Sequence, residues 1–235
     1  MKGFLYKDFI LNILNVVCTG IIVLGLSIYL LMNLKNGAQA DAFTVYIALF
    51  TGIFSLNFSL PMFGLDCAFA DARTKWSTYA MALPGGYKQM ISSKYLLGIL
   101  GHVLAIVCSF TMVLLCKLFA GFEMNLKAPV MCILFMTGLM LIFQSIFLPF
   151  VLKKRPGVVR VISIVLLVFA VYGLLCYAAF GDLSVLDGGD LESRIMLWFA
   201  IHESTLCVIC VAVSGIGVVF EAASYLILKK TFLND

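Results

Sequence analysis

Tyr95-Leu-Leu-Gly-Ile-Leu-Gly-His-Val-Leu-Ala-Ile-Val-Cys-Ser-Phe-Thr-Met-Val-Leu-Leu-Cys116 decides the fold, because it contains no charged residue. A helix that crosses the hydrocarbon core of a bilayer needs roughly 20 such residues. Five more runs have the same character: Val16 to Leu34, Phe43 to Leu65, Ala128 to Leu152, Val161 to Phe180 and Ser204 to Leu228. Only the last holds an acid, Glu221. The 235-residue chain is 63% hydrophobic and 12% charged. Soluble domains average about 45–50% and about 25%. So little charge cannot cover a water-facing surface. Composition therefore excludes an ordinary soluble enzyme, a disordered protein and a nucleic-acid binder. The expectation is an all-α integral membrane protein, a single transmembrane domain over 1–235 with six spans at 16–34, 43–65, 95–116, 128–152, 161–180 and 204–228.

The loops between the runs are short and leave no room for a soluble catalytic domain. Breakers fall in them: Asn36-Gly37, Pro84-Gly85-Gly86, Pro156-Gly157 and Gly188-Gly189. The first run outlasts the about 7–15 residues of a secretory core and reads as a retained helix. The cysteines lie in or beside apolar runs, and Cys207-x-x-Cys210 lacks the βαβ setting of a redox motif. They read as small packing residues.

Orientation follows from lysine and arginine. With the N-terminus cytoplasmic, the inner segments hold Lys2, Lys7, Arg73, Lys75, Lys88, Lys94, Lys153, Lys154, Arg155, Arg160, Lys229 and Lys230. The outer segments hold only Lys35, Lys117, Lys127 and Arg194. Both termini are therefore expected in the cytoplasm, with 181–203 as an outer loop. Before the first span, residues 1–15 read as an interfacial helix. Phe4, Leu5, Phe9, Ile13 and Leu14 would face lipid, and Asp8, Asn12 and Asn15 another side.

The inner loop after span two is the most informative. Trp76, Tyr79, Ala80 and Leu83 recur at i, i+3, i+4 and i+7, one face of a helix. Asp71 is placed to cap its start, and Pro84 with two glycines to stop it. Such a helix, over 71–84, either lies on the membrane with its aromatics as anchors or presents its exposed face to a partner.

Asp71, Trp76, Tyr79, Leu83, Pro84, Lys88, Ser93, Lys94 and Tyr95, together with the opening Met1 to Asp8, resemble the membrane subunits of type-2 ABC exporters. The subgroup most like them serves phenol-soluble modulin exporters of Gram-positive bacteria. Gly85, Gly86 and Tyr87 depart from that pattern after the Leu-Pro. The resemblance implies that 1–15 is an elbow helix and 71–84 a coupling helix. Asp71, Arg73, Lys75, Trp76, Tyr79, Leu83, Pro84 and Lys88 would contact a separate ATPase. It implies a permease in a bacterial plasma membrane, working with two ATPase copies and a second permease subunit, identical or paralogous. The cargo would be amphipathic or antimicrobial peptides. ATP and magnesium would sit on the partner. No lysine here follows a glycine, so the G-x-x-x-x-G-K-[ST] phosphate loop is missing and the chain is not itself expected to be an enzyme.

Within the spans, Glu221 lies about 12 Å along the helix from Lys229, at roughly 1.5 Å per residue. An acid at that depth is a candidate site. It shares a face with Ser214, Gly217 and Ser224, which would pack on another helix or line the path. Thr44, Thr51, Ser55 and Ser59 form a second polar stripe and a second candidate for the path. Asn57-Phe58-Ser59 is formally a glycosylation triplet but falls inside a span. His202-Glu203 lacks the second histidine of a zinc protease, since Leu206 stands there, and no metal is expected. The alternatives are an efflux permease for a drug or lipid-like substrate, an assembly or regulatory membrane protein, a secondary carrier and an intramembrane enzyme. A carrier would want acids in several spans, and an enzyme a convergent catalytic set.

Overall fold

The computed structural model describes residues 3–10, 18, 20, 21, 25, 42–74, 76–82, 86–119, 125–153 and 191–231. Among them there are helices and no strands. We name residues 3–10 α1, Ala42–Ser59 α2, Phe63–Arg73 α3, Trp76–Met81 α4, Gly86–Phe119 α5, Lys127–Leu152 α6 and Leu191–Thr231 α7. Helices are the expected outcome, because a segment in hydrocarbon must satisfy its backbone polar groups from within. Four stretches are long and apolar enough to cross a membrane: Leu49–Arg73, Gly86–Leu118, Lys127–Leu152 and Ile201–Lys230. They overlap the expected spans two, three, four and six. Expected span five, and all of expected span one but residues 18, 20, 21 and 25, lie outside the described residues.

Span two is not one straight helix. Pro61 has no N–H for the Asn57 carbonyl, and its ring crowds the preceding turn. The chain bends between α2 and α3, where the Leu60 N–H donates to Leu56 O at 3.2 Å and the Phe63 N–H to Leu60 O at 3.4 Å. Helix α5 seats against this bend through glycines. A Cβ on Gly101 would strike Leu60 O, and one on Gly64 would lie 2.5 Å from Lys94 O. Small residues at such crossings let backbones approach.

The α6–α7 crossing uses the same device. A Cβ on Gly138 would lie 2.7 Å from the Ser214 nitrogen, and one on Gly217 2.8 Å from Gly138 O. Ser214 Oγ donates to Leu134 O at 2.7 Å. Pro149 lies inside α6 and cannot donate to the Ser145 carbonyl four residues back. Ser224 Oγ of α7 supplies that bond at 2.7 Å. The small polar face expected on the last span is thus its packing face against α6. Gly138→Ala is expected to lower thermal stability by about 1–3 kcal/mol through overpacking. Gly215→Ala, where nothing lies within 4 Å, should be neutral or stabilise by about 0.5–1 kcal/mol. Unfolding midpoints of the two variants in one detergent check this pair.

Helix α7 has 41 residues, about 61 Å at roughly 1.5 Å each, against a hydrocarbon core of about 30 Å. Residues 191–203, expected as outer loop, are therefore helical. Leu191, Ile195 and Trp198 continue the helical period beyond the apolar run, which is why the helix does not stop there. At this end Lys127 Nζ meets Glu203 at 2.7 Å, an exposed pair of small energetic weight. Tyr46 Oη accepts from the Asn125 N–H at 2.9 Å nearby. The opposite end holds the largest apolar cluster, including Phe4, Leu65, Ala80, Met90, Phe147 and Leu228. It draws α1, α3, α4 and the near ends of α5, α6 and α7 together.

Candidate functional site

Four charges sit within that end. Lys94, on α5, is fully buried, as is Asp8 on α1, and Asp71 on α3 is nearly so. Lys94 Nζ lies 2.6 Å from Asp8 Oδ1 and 2.6 Å from Asp71 Oδ2. Lys7 Nζ pairs with Asp71 Oδ1 and lies 3.5 Å from Asp8. Ser93 Oγ donates to Asp8 Oδ2 at 3.3 Å. Two lysines and two aspartates cancel, so the cluster is neutral, which is the condition for burying it. Lys7 Nζ also stands 4.6 Å from the centroid of the Trp76 ring, a cation–π contact. One cluster therefore ties α1, α3, α4 and α5.

This arrangement corrects the expected geometry of 71–84. Asp71 does not cap a helix start. It lies in the last turn of α3 and faces inward, because Lys94 and Lys7 are there to receive it. The helix breaks after Arg73, where the Thr74 N–H donates to Ala70 O at 3.1 Å. The following helix, α4, is Trp76–Met81. Ala80 is buried and Trp76 half-buried, whereas Tyr79 is 67% exposed. The expected common face is thus split. Arg73, Tyr79 and Lys88 are exposed here and are termed the rim, whereas Asp71 is buried and Trp76 half-buried with its ring 6.2 Å from that of Tyr79. Lys75, Leu83 and Pro84 lie outside the described residues. Phe4, expected to face lipid, is buried instead. It stands one turn before Asp8, on the face that the ion pairs hold inward, while Tyr6, Phe9 and Ile10 point out.

In the middle of the bundle, Asn57 is fully buried. Its Nδ2 donates to Ile53 O at 2.9 Å and lies 3.0 Å from Ser109 Oγ, and its Oδ1 accepts from Thr137 Oγ1 at 3.1 Å. This node joins α2, α5 and α6. By sequence Asn57 stands out only as part of the Asn57-Phe58-Ser59 triplet. A lone amide inside an apolar run was the available signal, since such a group needs a partner across helices.

The two candidate path sets do not meet. Thr51 is exposed and shares its side of α2 with exposed Phe54 and Phe58. Ser59 Oγ donates to Ser55 O at 2.7 Å, within its own helix. The side chain of Thr44 lies outside the described set. Glu221 is buried at 5% exposure, on a cavity between α5, α6 and α7 that contains none of that stripe. Among the described residues no group of His, Cys, Asp or Glu is arranged to hold a metal.

The described chain is therefore a multi-pass helical membrane protein. Buried ion pairs fix α1 to α3 and α5, and Lys7 of α1 also stands over Trp76 of the short helix α4. Residues 3–232 match the family model for ABC-2 family transporter protein, so the chain belongs to that family. Members are membrane permease subunits of ABC transporters, which lack an ATPase site of their own and work in the bilayer with an ABC ATPase. No curated protein and no solved structure matches the chain.

Proposed function

We propose that this permease exports amphipathic or antimicrobial peptides from a bacterial cell, as in the phenol-soluble modulin exporters that its N-terminal motifs resemble. The observation that carries the mechanical part is the rim of Arg73, Tyr79 and Lys88 mounted on a buried, charge-paired base. In this reading α4 is the coupling helix and α1 the elbow helix. The end that holds the charge cluster faces the cytoplasm, as the lysine and arginine count argues. Two ATPases carry ATP and magnesium and press on the rims of two permease subunits. The buried pairs make α1 and α3 move with the start of α5, and α4 is packed on them through Ala80 and Trp76, so a push on Tyr79 is not absorbed locally. Exposed Thr51 and half-buried Ser55 and Ser59 lie along α2 as part of the path in this reading.

Co-expression with an ABC ATPase from the same genome provides the test. The purified complex should hydrolyse ATP, and an amphipathic helical peptide should raise the rate several-fold. A complex that forms and hydrolyses ATP with no response to peptides, in detergent or in vesicles, would remove the peptide cargo and leave the family assignment intact.

A further inference from the structure

The cavity between α5, α6 and α7 has a volume of about 600 Å³. At its inner end Tyr95 and Ser224 hydroxyls meet at 2.7 Å, and Ser92 and Tyr225 hydroxyls at 3.1 Å. The Tyr95 and Tyr225 rings stand edge to face there, 5.3 Å apart. Its mouth is flanked by the exposed side chains of Ile99, Val103, Val218 and Ala222, on membrane-spanning stretches of α5 and α7. The opening is therefore sideways, toward the hydrocarbon.

Glu221 is buried in the cavity wall with both carboxyl oxygens lacking a hydrogen-bond partner among the described residues, and His102 is buried there beside the Gln144 side chain. Glu221 is 5% and His102 4% exposed. Buried polar groups are nearly always bonded, and an orphan asks for a missing partner. In an apolar wall the group that satisfies a carboxylate best is a cation. Of the two tyrosine rings in the wall, Tyr225 already has Lys229 Nζ 5.6 Å from its centroid, a cation–π contact. The rest of the wall is apolar and suits an alkyl chain. A volume near 600 Å³ falls in the range of small-ligand sites, about 300–1,000 Å³. A peptide helix, about 10–12 Å across with its side chains, is too bulky for it.

We propose that this cavity binds a small amphiphile with one cationic group, drawn sideways from the bilayer, with Glu221 as the counter-charge and His102 as a second polar contact. The site shares the membrane placement of the export reading but not its peptide cargo.

The test uses the full-length chain in nanodiscs of neutral phosphatidylcholine, with radiolabelled dodecyltrimethylammonium as probe and empty nanodiscs as blank. Saturable binding is expected, weakened at least about tenfold by Glu221→Gln, which removes one desolvated charge contact. Unlabelled dodecanol should compete poorly. Ala222→Phe keeps Glu221 but fills the mouth, and should remove binding even where Glu221→Gln proves unstable. Probe binding that survives either substitution in folded protein, or dodecanol competing as well as the cation, overturns the proposal. No ATPase or peptide enters the measurement. Failure here therefore leaves the export reading standing, and failure of export leaves this site untouched.

Discussion

Lys94→Met is expected to lose about 3–5 kcal/mol of stability, the usual cost of removing one partner from a buried ion pair. In unfolding midpoint this is a drop on the order of 10 °C, or failure to give folded protein at all. The reason is electrostatic rather than steric, since methionine roughly keeps the lysine stem. Lys94 sits 2.6 Å from each of two aspartates. Without it the cluster carries a net negative charge in a buried place, and Lys7 alone cannot neutralise both. Asp8→Asn added to Lys94→Met leaves Lys7 against Asp71, one positive against one negative. The double variant should recover most of the loss. Thermal unfolding of the parent, the single and the double variant in the same detergent reads this directly. A double variant no more stable than Lys94→Met would mean that the lysine acts through packing, not charge.

Arg73→Glu combined with Tyr79→Asp is expected to do the opposite: leave the fold alone and disconnect the engine. Both side chains are exposed, Tyr79 at 67%. Surface substitutions of this kind usually change stability by within about 0.5 kcal/mol. If the rim is the docking surface, reversed charge and a lost aromatic anchor together should weaken ATPase association by at least a hundredfold. That is about 2.7 kcal/mol. Co-purification of the ATPase should then fail while the permease elutes normally and unfolds at its parental temperature. An intact complex with undiminished transport would move the docking surface away from α4.

The membrane character and four of the spans were legible because they rest on composition, which needs no knowledge of packing. The bend at Pro61 was legible in principle, since proline removes a donor wherever it stands, but the apolar run continued past it and concealed the break. The role of Asp71 is hidden in the sequence for a different reason. Its spacing before Trp76 suits a helix cap, and nothing local distinguishes a cap from one arm of an ion pair. The decisive neighbour, Lys94, stands on another helix, and Asp8 lies still farther off in sequence. Glu221 was legible as an oddity because an acid in hydrocarbon is rare. That His102 shares its cavity is a property of the α5–α7 arrangement and has no trace in either local sequence. The serine face of α7 was readable as a packing stripe. Its match to the carbonyl released by Pro149 was not.

The Asp8–Lys94 pair also bears on how the chain is made. Its two ends are 86 residues apart. At roughly 5–20 residues per second of synthesis, Asp8 waits on the order of 4–17 s before its partner exists. During that interval α1 has no buried cation to receive its carboxylate and belongs at the aqueous interface. Only when α5 has entered the bilayer can α1 fold under the bundle and be sealed there. The cluster therefore acts as a clasp that cannot close before α5 is made. A nascent protein with α5 misplaced would be marked, to whatever surveys the membrane, by an undocked α1 with its Phe4 and Asp8 left in the open.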